Sequence, residues 1–287
     1  MDISIVIVTY NSAEFIATTL ETIFANLPKA PTCEVIVVDN ASCDDTVKLI
    51  TAKFPQVKLI PQIKNLGFGA GCNRGLRMVS GKVIFFVNPD LLVRKNSIDI
   101  LYNYLMTHPK VGIVSPWSID REGKPNYAAR SFHTKSIFIS HSRSPLRSLF
   151  PKLAKKYIPI LHRPKNGVDV DWVIGAAMMV RTSLLERLAG FDEGYFMYLE
   201  DTDLCWRARK MGYDTHLDGD VTLIHYSRRT TSRVPYKMAL VHHRSLVRFL
   251  QKTGQLSGLD ELWFTPLLWL NLLFSWGYQL FNYRILP

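Results

Sequence analysis

The chain has 287 residues, 47% of them hydrophobic, and its 35 basic and 24 acidic residues give a net charge of +11. This length and hydrophobic content exclude a disordered polypeptide and predict one large α/β domain, or one domain with an appendage. The positive charge favours anionic partners such as nucleotides, phosphorylated acceptors, nucleic acid or an acidic membrane surface, without choosing among them.

The cysteines show neither metal-ligand nor CxxC spacing, which predicts reduced, mostly buried thiols: Cys33, Cys43, Cys72 and Cys205. Met1 and Asp2 lead directly into a strand-like run, and nothing there has the pattern of a secretory signal. We therefore expect a cytoplasmic protein.

The first third of the chain alternates strand-like and helix-like segments. The run Ile3 to Val8 is apolar and rich in β-branched residues, which is typical of a parallel strand buried on both faces. Asn11 with Glu14 resembles a capping box for the helix that follows, and Ser42 can cap the next one. The remaining segments predict strands at Val35 to Val38, Val57 to Ile60 and Val83 to Val87, and helices through Phe54 and around Ala70 to Met78. This order predicts a mainly parallel, Rossmann-like sheet flanked by helices.

Ligands of such sheets bind at the carboxyl ends of the strands. Those ends carry Thr9-Tyr10-Asn11, Asp39-Asn40 and Asn88-Pro89-Asp90. A carboxylate such as Asp90 can hold Mg²⁺ or Mn²⁺ together with substrate phosphates and water. Asn-Pro-Asp is also a common turn sequence, so the tripeptide alone leaves both interpretations open.

The pattern changes after a strand at Val111 to Ser115. No acidic residue lies between Glu122 and Asp169, where basic residues accumulate: Lys135, Arg143, Arg147, Lys152, Lys155, Lys156, Arg163 and Lys165. This basic excursion is either a solvated loop or a surface for a phosphorylated or membrane-bound acceptor.

Regular structure is expected again from Trp172, with helices near Ser183 to Leu188, Asp201 to Met211 and Pro235 to Gln251. Glu200, Asp201 and Asp203 would lie in the first turn of the second of these, where the helix dipole stabilises carboxylates. Next to a phosphate site they could instead supply a general base. His225 follows a short strand, Val221 to Ile224, as a structural histidine or as a metal ligand.

The 22 residues from Leu262 to Tyr283 carry no formal charge, but polar residues interrupt them along one helical stripe. They predict an amphipathic helix that lies in the lipid interface or packs on the protein, with a membrane span as the less favoured alternative.

Together these blocks resemble the inverting GT-A glycosyltransferases of family 2, especially the rhamnosyltransferase-like branch, over about residues 3–250. The resemblance rests on their order and spacing: Val8-Thr9-Tyr10-Asn11, Val37-Val38-Asp39-Asn40-Ala41-Ser42, Asn65-Leu66-Gly67-Phe68-Gly69, Asn73-Arg74-Gly75, Asn88-Pro89-Asp90, Gly175-Ala176, Gly190-Phe191-Asp192-Glu193 and Glu200-Asp201. It implies an α/β GT-A catalytic domain over residues 1–227 and a C-terminal helical appendage over residues 228–287.

The resemblance also implies roles for single residues. The nucleotide-binding residues would be Thr9, Asn11, Asp39, Asn73, Arg74, Asn88 and Asp90. Asp90 and His225 would hold Mg²⁺ or Mn²⁺, and Asp201 would be the general base, with Glu200 orienting the acceptor. The acceptor-side strand would be that of Trp172, Gly175 and Ala176. Asn88 departs from the family's metal motif, which generally begins with Asp; Asn can still accept a hydrogen bond but contributes no charge.

The implied reaction is a single inverting displacement, moving a sugar from a nucleotide diphosphate to a hydroxyl of a saccharide acceptor. The branch favours dTDP-L-rhamnose as donor, with UDP-sugars as the second choice, and a lipid-linked acceptor in cell-surface polysaccharide synthesis, at the cytoplasmic face of the membrane. A non-enzymatic basic module that binds a membrane or nucleic acid is the alternative, although no nucleic-acid motif is present. A dinucleotide-binding enzyme is disfavoured, because Cys72 stands where the third glycine of that fingerprint belongs.

Overall fold

The computed structural model describes residues 1–126, 129–135, 162–226, 235–259, 262–264, 266, 269–270 and 273. Its strands are β1 Ile3–Thr9, β2 Cys33–Asp39, β3 Lys58–Pro61, β4 Val83–Val87, β5 Leu91–Leu92, β6 Val111–Ile119, β7 Pro125–Asn126, β8 Ala129–Arg130, β9 Gly167–Val170, β10 Trp172–Val173, β11 Ala177–Arg181 and β12 Asp214–His225. Its helices are α1 Ile16–Ala25, α2 Thr46–Lys53, α3 Phe68–Leu76, α4 Ser97–Thr107, α5 Thr182–Arg187, α6 Glu200–Lys210 and α7 Pro235–Lys252.

The main sheet of the described residues has the strand order β3-β2-β1-β4-β11-β6-β12-β5, with β7 paired to β6 and β9 to β12. Strands β1 to β4 pair in parallel, and so do β6 and β12, whereas β11 runs antiparallel between β4 and β6. The predicted mainly parallel α/β fold is therefore confirmed. The carboxyl ends of β1, β2, β4, β6 and β12 meet at one edge of the sheet.

Both faces of the central strands are buried, as the unbroken apolar run of β1 requires. Ile3, Ile5 and Ile7 pack on one face with residues of α1, α2 and α4, and Val6 and Val8 pack on the other with residues of α3 and α6. The side chains alternate between the two layers because successive residues of a strand point to opposite faces. Burial on both faces is the reason that the strand lacks polar alternation.

Two predicted helix caps are wrong. Helix α1 begins at Ile16, and its first turn is closed by the Ser12 carbonyl, which accepts from the Phe15 and Ile16 amides at 3.0 Å. Asn11 Oδ1 instead accepts from the Cys43 amide at 2.8 Å, across to the loop after β2.

Ser42 likewise lies outside the helix that it was expected to cap, since α2 begins at Thr46. The Ser42 amide and hydroxyl both donate to Asp39. Asn11 therefore ties the loop after β1 to the loop after β2, whereas Ser42 holds the Asp39 carboxylate within its own loop.

Several boundaries differ from the prediction by a few residues. The strand expected at Val57 to Ile60 is β3, shifted by one residue, and α3 begins at Phe68. Regular structure resumes at Gly167, before Trp172, and the short strand before His225 is the end of the longer β12. Of the four cysteines, Cys72 and Cys205 are buried, Cys33 is half-buried and Cys43 is exposed.

Helix α7 packs directly on the rest of the molecule. Its residues Leu246, Phe249 and Leu250 share one buried cluster with Tyr195 and Leu199. The predicted boundary between residues 227 and 228 falls outside the described residues, as do most of the basic excursion and of the segment 262–283. In the portion of the chain that the structure describes, no helix combines the length and apolar character that crossing a bilayer requires.

Candidate functional site

The loops after β1 and β2 form one wall of the candidate site, called the Asp39 wall after its central residue. Thr9 and Asp39 are buried, and the Thr9 hydroxyl donates to Asp39 Oδ1 at 2.9 Å. Asp39 Oδ1 also accepts from the Ser42 hydroxyl at 2.5 Å, and Oδ2 accepts from the Ser42 amide at 2.9 Å. A carboxylate offers about four acceptor positions, so Oδ2 retains capacity for a further donor from a ligand.

Asn11 joins the same wall from the β1 side. Its amide donates to the Ser42 hydroxyl at 2.8 Å, and its side-chain oxygen accepts from Cys43. Asn11 adopts a left-handed backbone with φ of 49°, a conformation that Asn tolerates better than most residues. These bonds make Asn11, Ser42 and Asp39 one connected unit.

Asp90 and His225 come together although they are far apart in the sequence. Asp90 follows β4, His225 ends β12, and Asp90 Oδ1 lies 3.1 Å from His225 Nε2. The register places His225 opposite Leu91 of β5, which directly follows Asp90. Their side chains are 17% and 14% exposed, so both are mostly withdrawn from solvent while remaining reachable.

The Asp90 carboxylate is a ligand type that suits Mn²⁺ or Mg²⁺, and the His225 imidazole nitrogen beside it is a second donor of a type that Zn, Cu, Fe and Ni prefer. Within the described residues, no group of three or more His, Cys, Asp or Glu side chains could hold a metal ion by itself. A cation at Asp90 and His225 would therefore need further ligands from phosphate and water, which is the usual arrangement for Mg²⁺ at diphosphates.

Arg121 is a residue of this edge that sequence reasoning missed. Its guanidinium carbon lies 3.8 Å from the centroid of the Tyr226 ring. The Tyr226 amide donates to the Asp90 carbonyl at 3.0 Å, so Arg121 lies over the residue that links Asp90 and His225. Its position two residues after β6 was the available signal, because Asp90 also follows the end of a strand.

Glu200 and Asp201 open α6 and are 5% and 8% exposed. Asp201 Oδ2 accepts from the Gly175 amide at 2.8 Å, and Oδ1 accepts from the Thr202 amide at 2.7 Å. Burial raises the pKa of Asp201 above its ordinary 3.8, although these hydrogen bonds oppose the shift. Burial, and then the charge of Asp201, raise the pKa of Glu200 well above its ordinary value.

The burial of Glu200 and Asp201, here called the acid pair, has two chemical consequences. A carboxylate with a raised pKa is a stronger base, which is the direction that proton abstraction near neutral pH requires. Glu200 Oε2 is buried and has no hydrogen-bond partner in the described part of the molecule. An unpaired buried oxygen beside a candidate base is a point at which a bound hydroxyl could donate.

Gly175 and Ala176 connect the acid pair to the sheet edge that carries Asp90 and His225. The Gly175 amide holds Asp201, while the Ala176 carbonyl accepts from the Asn88 amide at 2.7 Å. A Cβ on Gly175 would lie 3.1 Å from Phe68 Cε1, a tight contact, and 3.6 Å from Asp201 Oδ2, an ordinary one. Trp172 lies behind them, buried, with its indole N–H donating to the Ser131 carbonyl at 2.9 Å.

The glycine-rich segment supports the acid pair from α3. Gly67 has a φ of 95°, and a Cβ there would lie 2.0 Å from the Phe196 carbonyl oxygen. A Cβ on Gly69 would lie 3.1 Å from Phe191 Cβ, which is tighter than most real contacts. These glycines let α3 approach the segment that leads into α6, which explains them without a dinucleotide phosphate loop.

Asn73 and Arg74 do not join the Asp39 wall through hydrogen bonds. The Asn73 amide group is occupied by the chain at Phe191, accepting from its N–H at 2.8 Å and donating to its carbonyl at 2.9 Å, and by Glu193 at 3.0 Å. No side-chain hydrogen bond or ion pair of Arg74 is found among the residues described. Their nucleotide-binding roles remain predictions.

Comparison with known proteins identifies the family. The model described as "Glycosyl transferase family 2" matches residues 4–186, which is more than half of the chain. An N-acetylglucosaminyl-diphospho-decaprenol L-rhamnosyltransferase of Mycobacterium tuberculosis is 28% identical over 252 residues, 82% of this chain and 78% of the relative. The Rhamnosyltransferase WbbL of Escherichia coli is 28% identical over 200 residues, 67% of this chain and 73% of the relative.

Solved structures support the fold. The mannosyltransferase PcManGT from Pyrobaculum calidifontis, in complex with GDP-Man and Mn²⁺, superposes with a TM-score of 0.59 and 19% identity. The match covers 96% of this chain and 73% of that chain.

Proposed function

The chain belongs to glycosyltransferase family 2, and we propose that it transfers L-rhamnose from dTDP-L-rhamnose to a hydroxyl of a lipid-linked saccharide, with inversion, in cell-surface polysaccharide synthesis. Family membership makes it a glycosyltransferase, and the alternative of a non-enzymatic basic module is not supported. The rhamnosyl donor and the lipid-linked acceptor are supported by the named activities of its relatives.

The observation that carries the proposal is the connection between two carboxylate sites. Asp90 lies at His225, Asp201 lies at Glu200, and the backbone from Gly175 to Ala176 hydrogen-bonds to Asp201 on one side and Asn88 on the other. A donor diphosphate at the first site and an acceptor hydroxyl at the second would thus be positioned by one rigid segment, which is the condition for efficient displacement.

We propose that the nucleotide-sugar donor binds between the Asp39 wall and the sheet edge that carries Asp90 and His225. Asp39 Oδ2 would accept from the base or ribose, while Thr9, Asn11 and Ser42 orient it. A divalent cation held by Asp90 and His225 would supply positive charge to the diphosphate. Arg121 would donate to the same diphosphate, because guanidinium groups bind phosphate oxygens in a bidentate manner.

Asp201 would act as the base on the acceptor side. Its carboxylate takes the proton of the attacking hydroxyl, the hydroxyl oxygen bonds to the anomeric carbon, and the nucleoside diphosphate leaves on the opposite side. One inversion follows from one displacement. Glu200 Oε2 would hold the acceptor at a second hydroxyl, using the acceptor capacity that the protein leaves free.

A transfer assay tests the proposal. Purified protein with Mn²⁺ is offered dTDP-L-rhamnose, UDP-N-acetylglucosamine, UDP-glucose or GDP-mannose, with a polyprenyl diphosphate-linked N-acetylglucosamine as acceptor. We expect an acceptor mass gain of one deoxyhexose only with the first donor, and an anomeric configuration opposite to that of the donor by NMR. Transfer from another donor would refute the rhamnosyl assignment, and a product of unchanged configuration would refute the single displacement.

We further propose peripheral contact with the cytoplasmic face of the membrane. After α7, large apolar side chains are exposed: Leu259 at 80%, Leu262 at 73%, Trp263 at 56% and Leu273 at 57%. Apolar burial combined with the net charge of +11 would favour an anionic bilayer. In liposome co-sedimentation the full chain should bind anionic vesicles more than neutral ones, and a chain truncated after Gly258 should bind less. Equal partitioning of both chains, with no response to lipid charge, would rule this contact out.

A further inference from the structure

The chain enters the acid pair through an unfavourable backbone conformation. Tyr198 and Leu199, the two residues before Glu200, have φ values of 68° and 64°. The left-handed region is sparsely populated by residues other than glycine, and bulky residues remain there only where their surroundings hold them. Something outside this segment must therefore set the direction in which Glu200 and Asp201 leave it.

Helix α7 provides that support through packing and a hydrogen bond. Leu199 is 4% exposed and lies in the cluster formed by Leu246, Phe249 and Leu250 of α7. The hydroxyl of Ser245, the α7 residue before Leu246, donates to the carbonyl of Met197 at 2.9 Å. The strained segment is thus held on both its side chains and its backbone by one face of α7.

Ion pairs join the end of α7 to the start of α6. Lys252 Nζ lies 2.7 Å from Asp203 Oδ1, and Asp203 is fully buried two residues after Asp201. The same ammonium group lies 2.7 Å from Asp192 Oδ2, and Arg248 contacts Oδ1 of the same carboxylate at 2.9 Å. Lys252 therefore links α7 both to the first turn of α6 and to the turn before the strained segment.

We propose that α7 positions the general base, with Ser245 and Lys252 as positioning residues that hold Asp201 against the acceptor hydroxyl. This inference rests on the proposed role of Asp201. The sequence assigns α7 to a separate C-terminal region. Under this proposal α7 is instead part of the active site. A displaced base loses rate without losing nucleotide affinity, because the donor is held by the Asp39 wall and by Asp90.

The test compares Ser245→Ala and Lys252→Gln with Arg244→Gln, which removes the same charge from an exposed position of α7. We expect kcat to fall about tenfold or more for the first two variants, since small displacements of reacting groups cost up to about 10²-fold. The KM for the donor and the calorimetric Kd for dTDP should stay within about twofold. Arg244→Gln should match the wild type, and Lys252→Arg should recover most of the kcat.

Two outcomes would overturn the proposal. One is wild-type kcat in both Ser245→Ala and Lys252→Gln. The other is a parallel loss of kcat, dTDP affinity and melting temperature, which would mean general destabilisation. Measuring Asp201→Asn in the same assay distinguishes the role of Asp201 from the role of α7. If this variant remains active, the assignment of Asp201 as the base fails. If it is inactive while the Ser245 and Lys252 variants turn over normally, only the role of α7 fails.

Discussion

Replacing Asp201 by Asn removes the proposed base while keeping the shape of the side chain. Both oxygens of Asp201 accept a backbone N–H, from Gly175 at 2.8 Å and from Thr202 at 2.7 Å. An amide offers only one oxygen, so one of these donors would face an NH₂ group and lose its partner. An unpaired buried N–H costs about 1–3 kcal/mol, which sets the largest loss of folding free energy that we expect. Removal of a buried charge offsets part of it, because burial already disfavours the ionised form of Asp201.

The catalytic effect should be larger than the effect on stability. Loss of a general base lowers kcat by about 10²–10⁴-fold, or about 2.7–5.4 kcal/mol of transition-state free energy. Nucleotide affinity should not change, because among the described residues no hydrogen bond joins Asp39, Thr9 or Ser42 to Asp201. Initial rates at saturating donor measure the first quantity, and calorimetry with dTDP measures the second. In the wild type, kcat should fall as pH drops through the raised pKa of Asp201, since only the ionised carboxylate accepts a proton.

Asp218 offers a matched control. It is 1% exposed, burial raises its pKa, and its Oδ1 accepts from the Asp220 amide at 2.7 Å. It lies on β12, seven residues before His225, and the groups that act on its pKa are Asp220, Val221 and Arg163, with neither member of the acid pair among them. Asp218→Asn should therefore affect stability to a similar extent without lowering kcat. The reasoning would be refuted if Asp201→Asn kept more than about a tenth of the wild-type rate, or if Asp218→Asn were equally inactive.

Three further predictions concern the metal edge and the acid pair. EDTA should abolish transfer, and Asp90→Ala or His225→Ala should weaken both the Mn²⁺ response and dTDP affinity in a calorimetric titration; full transfer in EDTA would contradict this. Arg121→Ala should raise the KM for the donor about tenfold or more, because hydrogen bonds to charged groups contribute about 1.5–3 kcal/mol. Arg187→Ala, which removes a guanidinium lying 5.8 Å from another tyrosine ring, should leave it unchanged, and equal effects would remove Arg121 from the site. The pKa of Glu200 is raised above its ordinary 4.5, so the native state keeps a proton that the unfolded state releases, and stability should fall as pH rises above about 4.5 by up to about 1.4 kcal/mol per pH unit. Glu200→Gln should reduce that slope in urea unfolding between pH 4 and pH 8, with the remainder coming from Asp201, whose pKa burial also raises, and an unchanged slope would exclude Glu200 as its cause.

The strand ends illustrate what could be predicted from local pattern. The apolar run of β4 is found at the predicted residues, Val83–Val87, and Asp90 follows it at the expected edge. A strand that is buried on both faces needs apolar residues at consecutive positions, so a short window of sequence is enough to recognise it. The pairing of Asp90 with His225 was implied by the family resemblance and not by spacing, and the structure places the two side chains together.

Asn11, Ser42 and Arg121 illustrate what local pattern could not provide. Asn11 and Ser42 have the residue types of helix caps, but each bonds to a loop about 30 positions away or to a neighbouring strand end. Arg121 follows the end of β6, but its position over Tyr226 depends on two strands pairing in parallel. A short polar side chain takes whichever partner the folded chain brings near, so its residue type does not reveal its role.

By itself, then, the sequence determined β1 to β4, most of the helices and the order of the family's motifs, because each of these depends on residues that are close together in the chain. It did not predict α4 or β11. Only the tertiary structure decided that α7 packs on the segment before Glu200, that Lys252 reaches Asp203, and that Asp201 is held by the Gly175 amide. The residues that these contacts join are separated by between 26 and about 50 positions in the sequence. Periodicity and propensity carry no information about such pairs, because they arise only when the sheet and its helices close around a common core.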